Sequence, residues 1–247
     1  MDNLIFGCRI PYNYFTTIGG GEANIGGGDD SAAFETGSFD DAIRDANIED
    51  FNIIKYSSVI PSQSIEVPLN EAKKSFVMGS VLETIMAQKN GVKEEKITAA
   101  VLLTAIYKKV KDKPVYVGSY AVEYSGHASP EEARSILCKN ATNMCIRRGL
   151  GSLGKNKIIK FNEKMLTDKN YILHADKFIV KSMTVKKHFG TVLAAICFIS
   201  YINPIFRSSW VKIYTQLPDW KRNIISLTPG HLKPDKRLKK TRKLKRT

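Results

Sequence analysis

Apolar residues recur along the chain in runs that have the length and alternation of β-strands. The runs cover residues 51–56, 75–87, 97–107, 114–124, 171–185 and 189–202. Turn-forming or charged residues bound most of them, as expected for strands. The run at 97–107 also fits a helix, because a continuous apolar stretch shows no clear period. The pattern therefore predicts a protein rich in strands.

Two segments carry signals for the start of a helix. Ser129 is a capping residue, and a proline and a glutamate follow at the positions that favour a first turn. This predicts a helix through Arg147 that stops at Gly149. Ser38, with Asp41 at the capping-box position, predicts a shorter helix over residues 39–47. Strand runs around a few helices, without a βαβ repeat, predict an α+β layered sandwich.

Glycines are concentrated in the segment GGGEANIGGGDD, residues 19–30. Gly21 and Gly26 have the spacing that opens a phosphate-binding P-loop. Gly27 and Gly28 stand where that motif needs lysine and serine or threonine. We interpret the segment as a flexible surface loop.

Net charge is unevenly distributed. The 247 residues include 38 Lys+Arg and 24 Asp+Glu, a formal net charge of +14. Residues 204–247 alone carry +11, which leaves +3 for the other 203 residues. We therefore divide the chain into a domain at 1–203 and a basic C-terminal extension at 204–247. The last part of that extension, KRLKKTRKLKR, has the composition of a disordered tail.

Other classes of protein find little support. No run of eighteen apolar residues predicts a membrane-spanning helix, and the N-terminal residues do not resemble a secretion signal. The four cysteines form no CxxC pair, so we expect no disulfide framework and a cytoplasmic protein. The four histidines have no metal-ligand spacing, so we expect no metal.

The pair Ser57-Ser58 is a candidate for self-cleavage. It ends a strand-like run and precedes Val-Ile-Pro, where a tight and strained backbone is plausible. A strained peptide bond followed by a hydroxyl can undergo an N→O acyl shift, with the hydroxyl as the nucleophile. A Ser-Ser pair alone does not indicate a cleavage site, since a second pair occurs at 208–209.

Glu123 is the second candidate. Alternation along the 114–124 strand places it on one face with small and apolar residues at 115, 117, 119 and 121. Partial desolvation there would raise its pKa toward use as a proton donor. The competing interpretation is that Glu123 lies in water at the mouth of the strand.

Asp40 and Asp41 are the third candidates. At a helix N-terminus, both carboxylates would simply favour the helix dipole. Asp41 also fits the capping position, which leaves Asp40 free to form a bidentate pair with a guanidinium. The periodicity alone favours a structural role for both.

Together, these residues resemble the pyruvoyl-dependent arginine decarboxylases, in particular their bacterial branch. The resemblance rests on Phe39-Asp40, on the segment NIIKYSSVIP at 52–61 and on AVEY at 121–124, and it covers roughly residues 12–202. It implies a layered α/β/β/α sandwich that cleaves itself between Ser57 and Ser58. The products are an N-terminal β chain and a C-terminal α chain, with a covalent pyruvoyl group derived from Ser58.

The resemblance also implies the reaction and the residue roles. The enzyme would convert L-arginine to agmatine and CO₂ through a Schiff base between the substrate and the pyruvoyl group. Glu123 would return the proton to the substrate, Asp40 would face the guanidinium, and Asn52 would donate to the oxyanion during processing. An extended strand of five residues spans about 16 Å, so Asn52 should not reach its own Ser57 carbonyl. We therefore expect a site shared between protomers of a homotrimer, or of a dimer of trimers.

Alternatives remain open at this point. One keeps the pyruvoyl chemistry but changes the amino acid. Another is a non-enzymatic binding module whose basic tail contacts nucleic acid or acidic membrane. A solvated tail without a partner is the simpler interpretation, and a chain that folds but never processes is also open.

Overall fold

The computed structural model describes residues 8–24, 37–111, 113–148, 164–166 and 171–203. The strands in this part of the chain are β1 (Ile10–Pro11), β2 (Asn13–Ala23), β3 (Asn52–Lys55), β4 (Val59–Pro61), β5 (Ile65–Glu66), β6 (Val81–Val92), β7 (Lys96–Val110), β8 (Lys113–Gly126), β9 (Lys164–Leu166), β10 (Tyr171–Thr184), β11 (Phe189–Phe198) and β12 (Tyr201–Ile202). The helices are α1 (Phe39–Asp45), α2 (Leu69–Ala72) and α3 (Pro130–Arg147), with a 3₁₀ turn at Lys73–Ser75. The fold is a mixed one, mostly sheet with few helices, as the α+β prediction requires.

The chain divides into two compact units, residues 1–10 with 201–247 and residues 11–200. The first holds most of the small sheet of β1 and β12, where the Arg9 guanidinium lies 4.7 Å from the centre of the Tyr201 ring. The second unit holds two five-stranded sheets. Sheet A has the order β3-β6-β11-β2-β5, and sheet B has the order β4-β8-β7-β10-β9.

Sheet A is built around β11, which pairs antiparallel with β2 on one side and with β6 on the other. Strand β3 adds to the β6 edge in parallel, with Asn52 opposite Val81. One face of the sheet packs against α1 through a cluster of buried residues. That cluster contains Phe15, Ala42, Ile43, Ala46, Ile48, Ala72, Leu82, Met86, Leu193, Ala195 and Cys197.

Glycines of β2 let α1 lie directly on the sheet. A Cβ atom at Gly19 would lie 2.0 Å from the Ala42 carbonyl oxygen, and one at Gly21 would lie 2.3 Å from the Ser38 carbonyl oxygen. Residues 19–23 are therefore strand beneath a helix, and the prediction of a flexible surface loop is wrong for them. These residues form a strand because the neighbouring strands alternate and are buried. The flexible backbone of glycine did not decide their conformation. Residues 25–30 lie outside the described residues.

The start of α1 differs from the predicted capping box. The helix is present, but Ser38 itself has helical backbone angles and its side chain makes no capping hydrogen bond. The Ser38 hydroxyl instead contacts the Thr191 hydroxyl at 2.8 Å. Asp41 pairs with Arg44 at 2.6 Å on the helix surface. A buried partner on β11 has thus displaced the local cap.

In sheet B the longest strands are β7, β8 and β10. The ambiguous run at 97–107 is part of β7, which pairs with β8 on one side and β10 on the other. Helix α3 packs on this sheet through Ala133, Leu137 and Ala141 against Ala100, Leu102 and Val122. Its predicted start is confirmed, because Ser129 and Glu132 form a reciprocal capping box. The predicted stop, Gly149, lies outside the described residues.

Two strand predictions need correction. The run at 75–87 is not one strand, since β6 begins only at Val81 and Val77 and Met78 form an exposed loop before it. In β8 the alternation breaks at a bulge, where Gly118 has a φ of +143° and opposes Ile106, while Tyr116 opposes Tyr107. Tyr116 therefore shares a face with Ser119, and their side-chain oxygens lie 2.6 Å apart. Val115 and Val117 do not continue the Glu123 face and are exposed.

The cysteines form no disulfide and are all free thiols, three of them buried. Burial raises the pKa of Cys138 and of Cys145 to about 11, which keeps both thiols protonated at neutral pH. Within the described ranges, no helix is long and apolar enough to cross a membrane. The same residues contain no group of three or more His, Cys, Asp or Glu side chains that could hold a metal ion. The basic extension from residue 204 onward lies outside the described residues.

Candidate functional site

The Ser57-Ser58 peptide is the crossover from sheet A to sheet B. On one side, the Tyr56 amide donates to the Thr84 carbonyl of β6 at 2.6 Å. On the other side, the Ala121 amide of β8 donates to the Ser58 carbonyl at 3.1 Å. The chain therefore leaves one sheet and enters the other within two residues, which fixes both ends of this peptide.

The crossover is a tight turn centred on Ser58. The Val59 N–H donates to the Ser57 carbonyl oxygen at 2.9 Å, the three-residue hydrogen bond of a γ-turn. Neither serine has a left-handed φ, so this is the inverse form of the turn. The predicted tight backbone is confirmed. An N–H directed at the carbonyl also draws electron density from its carbon, which favours attack there.

Glu123 reaches this turn from sheet B. Its carboxylate lies within reach of the Ser58 hydroxyl and of the Met86 backbone N–H, and the Lys55 ammonium lies close enough to attract it. Burial outweighs these three contacts and raises the pKa of Glu123 above its ordinary value. The residue as a whole is nevertheless exposed. The two interpretations from the sequence, exposure to water and partial desolvation, each hold in part. Glu123 lies near the exposed end of its strand, and its carboxylate is nevertheless partly desolvated.

The Met86 amide is available because β3 ends early. Alternate residues of a strand present their backbone groups to the same edge. Thr84 uses that edge to accept from Tyr56, and Met86 is the next residue to face it. The chain has by then crossed to sheet B, so the Glu123 carboxylate takes the place that a longer β3 would fill. The sheet edge thus acts as a binding site for a side chain of the other sheet.

Asn52 lies at the beginning of β3, away from the turn. Its side-chain amide donates to the Gly79 carbonyl at 2.8 Å, and the Ser57 carbonyl accepts from Val59 instead. Asn52 is exposed on the edge of sheet A. Within one chain, Asn52 therefore does not reach the Ser57-Ser58 peptide, in whose processing the resemblance gave it a role.

Asp40 also lies apart from Glu123. It is exposed in the first turn of α1, which packs on the face of sheet A formed by Leu82 and Met86. Strand β6 contacts β7 and β8 of sheet B, and Ile85 projects to the face opposite Leu82 because strand side chains alternate. One chain therefore holds Asp40 on the side of sheet A remote from sheet B.

A cleft of about 590 Å³ opens beside α1, lined by Gly20, Gly21, Glu22, Asp41, Arg44, Asp45, Lys181, Met183 and Lys187. It contains neither serine of the crossover nor Glu123. Its central carboxylate, Asp45, accepts from Lys181 at 3.0 Å and from the Gly20 N–H at 2.9 Å. Burial opposes ionisation here, but these two donors hold the pKa of Asp45 below its ordinary value. The Asp45 carboxylate therefore links α1 to the backbone of β2 and to the Lys181 side chain of β10.

Sequence reasoning missed three contributors at the crossover. Two are the backbone N–H groups of Val59 and Met86, which leave no trace in the residue types. The third is Lys55, which stands two residues before Ser57. Its charge so close to the proposed cleavage site was the one signal in the sequence that could have identified it.

Comparison with known proteins supports one family. The family model described as pyruvoyl-dependent arginine decarboxylase matches residues 13–203. The chain is 29% identical over 201 residues to the pyruvoyl-dependent arginine decarboxylase AaxB of Chlamydia muridarum, covering 80% of this chain and 95% of that protein. It is also 29% identical over 203 residues to the AaxB protein of Chlamydia pneumoniae, covering 81% and 96%. An archaeal relative, the pyruvoyl-dependent arginine decarboxylase of Methanocella arvoryzae, is 31% identical over 108 residues, which are 43% of this chain and 63% of the relative.

Proposed function

The chain belongs to the pyruvoyl-dependent arginine decarboxylase family, and from that premise we propose that it makes its own pyruvoyl group by cleavage between Ser57 and Ser58. It is a lyase that decarboxylates L-arginine, which yields agmatine and CO₂. The observation that carries the cleavage proposal is the position of the Ser58 hydroxyl, within reach of Glu123 and next to a carbonyl that accepts from Val59.

Cleavage begins with Ser58 Oγ attacking the Ser57 carbonyl carbon. Glu123 accepts the hydroxyl proton, and the Val59 N–H stabilises the developing oxyanion. The C–N bond then breaks, the amide nitrogen takes up a proton, and an ester joins the two residues. Loss of the Ser58 Cα proton eliminates the Ser57 carboxylate and leaves dehydroalanine, which adds water and releases ammonia. The chain 1–57 and the chain 58–247 result.

The residues around Ser58 fit a covalent pyruvoyl group. Ser58 supplies all three of its carbons, so no diffusible cofactor needs a binding site. The group's ketone supplies an electron sink for loss of CO₂ from an amino acid, work that pyridoxal phosphate does elsewhere. Glu123 and the Met86 N–H lie next to one another at the turn that contains Ser58. Together they would hold the N-terminal end of the α chain in place.

During decarboxylation, Glu123 delivers a proton to the substrate Cα. A raised pKa suits this role, because the carboxyl then keeps its proton closer to neutral pH. The Met86 N–H orients the carboxyl from the edge of sheet A. Lys55 opposes the shift and stabilises the carboxylate that remains on Glu123 after the proton has left.

Asp40 is our choice for the group that binds the substrate guanidinium. A carboxylate can accept two parallel N–H bonds from that planar group, which lysine cannot offer. Since Asp40 lies on the remote side of sheet A from Glu123, we propose that each site combines the crossover of one protomer with Asp40 and Asn52 of another. The assembly would be a homotrimer or a dimer of trimers.

Exposed apolar residues beside Asn52 support contact between protomers. Ile54, Val77, Met78 and Val81 are 47%, 64%, 80% and 56% exposed at the β3 edge of sheet A. Contiguous exposed apolar residues on a soluble domain are typical of an interaction surface. A neighbouring protomer at this edge would bury them and bring its own residues close to Asn52.

The layered α/β/β/α sandwich is likewise our proposal for the arrangement of the two sheets. It is supported by one buried cluster that joins α1 to sheet A and a second that joins α3 to sheet B. We propose residues 1–203 as the decarboxylase domain, which agrees with the family match at 13–203. Residues 204–247 then form an extension whose contact with nucleic acid or membrane is not needed for the reaction.

The mass of the purified protein under denaturing conditions tests self-cleavage. We expect two chains split after Ser57, the larger one lighter by one ammonia than its sequence. Agmatine and CO₂ formed from arginine test the activity, with lysine and ornithine as competing substrates. One chain of 27.6 kDa that still forms agmatine would refute the cleavage proposal, whereas two chains that decarboxylate another amino acid would refute the arginine specificity.

A further inference from the structure

Five polar side chains form a continuous hydrogen-bonded network across the outer face of sheet A. We name it the transverse network, and its members are Lys55, Gln88, Asn90, Thr191 and Ser38. The Lys55 ammonium donates to Gln88 Oε1 at 3.3 Å, and Gln88 Nε2 donates to Asn90 Oδ1 at 3.3 Å. Thr191 Oγ1 donates to Asn90 Oδ1 at 3.1 Å and lies 2.8 Å from Ser38 Oγ. The network thus runs from the strand before the crossover to the start of α1.

Two of the donors in this network meet at one oxygen atom, Asn90 Oδ1. Asn90 Oδ1 accepts from both Gln88 and Thr191, which fills its two lone pairs. A threonine hydroxyl has a single proton, and Thr191 directs it to Asn90. Ser38 must therefore donate to Thr191, so the direction of the buried contact is determined. Each of the three inner members thus has one defined partner on each side.

Ser38 connects the network to the proposed substrate-binding residue. It is completely buried and precedes Phe39 and Asp40, which begin α1. Its hydroxyl is held by β11, while its carbonyl oxygen lies so close to Gly21 of β2 that a Cβ there would be 2.3 Å away. Two neighbouring strands thus hold Ser38, which lies two residues before Asp40. A helix of seven residues cannot be stable alone, so its position depends on such contacts.

We propose that Thr191 is a positioning residue for substrate binding, acting through Ser38 to set the position of Asp40. The proposal rests on the proposed function, in which Asp40 binds the guanidinium of arginine. A bidentate carboxylate pair demands correct distance and orientation of both oxygens. The Thr191 hydroxyl therefore affects the affinity for the guanidinium and not the chemistry at Ser58 and Glu123.

Cleavage makes this contact more important. After a break between Ser57 and Ser58, Ser38 and Lys55 belong to the N-terminal chain, and Gln88, Asn90 and Thr191 belong to the C-terminal chain. The contacts at both ends of the network, Lys55 to Gln88 and Ser38 to Thr191, then join two separate polypeptides. The substrate-binding carboxylate is on one chain, and the residue that holds its helix is on the other.

Three variants of the full-length, processed protein test the proposal. Thr191→Val removes the hydroxyl with little change of volume, Thr191→Ser keeps it, and Ser38→Ala removes the same hydrogen bond from the other side. Thr98→Val is the matched control. Thr98 is equally buried, its hydroxyl lies 2.8 Å from that of Ser182, and it holds the Ala128 carbonyl at the start of α3.

The measurements are KM and kcat for arginine and the inhibition constant of ethylguanidine, which has the guanidinium but no reacting amine. Because a displaced Asp40 loses part of its charged hydrogen bonds to the guanidinium, Thr191→Val and Ser38→Ala should raise KM and the inhibition constant by about tenfold, which is about 1.4 kcal/mol. The kcat value should stay within about twofold, Thr191→Ser should restore KM, and Thr98→Val should leave both constants unchanged. Amide hydrogen exchange over residues 39–45 should accelerate in Thr191→Val and in Ser38→Ala, and it should stay unchanged in Thr191→Ser and Thr98→Val.

Several outcomes would overturn the proposal. They are an unchanged KM in Thr191→Val and Ser38→Ala, an equal rise in Thr98→Val, or a failure of Thr191→Ser to restore KM. Faster exchange at α1 without any change in KM would assign Thr191 a purely structural role. A wild-type protein that processes but does not turn over arginine would refute the proposed function itself, which the wild-type assay shows separately.

Discussion

The hydroxyl of Ser58 lies within reach of the carboxylate of Glu123. The two residues belong to different parts of the second unit, one at the crossover between the sheets and the other near the end of β8. The Ala121 N–H, two residues before Glu123, also holds the Ser58 carbonyl at 3.1 Å. Strand β8 therefore fixes both the backbone and the side chain of Ser58. In the cleavage that we propose, one protomer alone would therefore supply both the nucleophile, Ser58, and its base, Glu123.

Replacing Ser58 with alanine should abolish self-cleavage, since no other atom of that residue can attack the Ser57 carbonyl. The intact mass should then be that of one chain of 27.6 kDa. Ser57→Ala is the matched control, because its hydroxyl takes no part in the attack. It should still give two chains, and a variant with alanine at 58 that does the same would exclude Ser58 as the nucleophile.

Glu123→Gln keeps the shape of the side chain but removes the transferable proton. Loss of a general acid costs typically 10²–10⁴-fold, so kcat for arginine should fall by at least about 100-fold in protein that is already processed. In the wild type, the rate should fall as pH rises through the raised pKa of Glu123, because the protonated form is the active one. That alkaline limb should be missing from the pH profile of the variant. A variant with full turnover would remove Glu123 from the reaction.

A site shared between protomers makes a prediction about mixed assemblies. Asp40→Ala and Glu123→Gln should each lack activity at low arginine, but co-expression should recover part of it. The reason is that some interfaces would combine an intact Asp40 with an intact Glu123. Asp41→Ala provides the control, because Asp41 pairs with Arg44 on the helix surface and should affect KM little. Activity that stays absent in the mixture, with the mixed assembly verified by mass, would place each site within a single chain.

Gly19→Ala should destabilise the protein, because the new Cβ would lie 2.0 Å from the Ala42 carbonyl oxygen. Overpacking of this kind costs about 1–3 kcal/mol, to be measured from the midpoint of urea unfolding. Gly20→Ala is the control on the same strand. Its Cβ would meet the flexible end of Lys181 at 2.7 Å, which can move aside. Equal losses for the two variants would argue against close packing of α1 on β2.

Asp45→Asn should lower stability in a way that depends on pH. The pKa of Asp45 is lower in the folded protein than its ordinary value of about 3.9. Its contribution is therefore present above that value and is lost as pH falls through the folded-state pKa. At pH 7 the variant should lose less than about 1 kcal/mol, since the pair with Lys181 is largely exposed to solvent. Unfolding midpoints that differ equally at pH 7 and pH 2.5 would contradict this assignment.

Much of the fold was predictable from the sequence because its signals are local. Strand β10, strand β11 and the capped helix α3 follow from apolar runs and from Ser129 with Glu132, whose hydrogen bonds lie within one turn. The cleavage motif was also visible, since residue types at 52–61 carry it. Predictions failed where a distant residue decided the outcome. Ser38 lost its capping role to Thr191, which is 153 residues away.

The sequence by itself determined the chemistry available to this protein, because a hydroxyl after a tight turn and an acid on a strand are properties of residue types. Only the tertiary structure decided which groups meet. The early end of β3 leaves the Met86 N–H open, and the crossing of the chain to sheet B brings Ser58 to Glu123. Backbone amides carry no residue identity, and contacts between sheets depend on register and burial. Both are settled only when the whole chain packs.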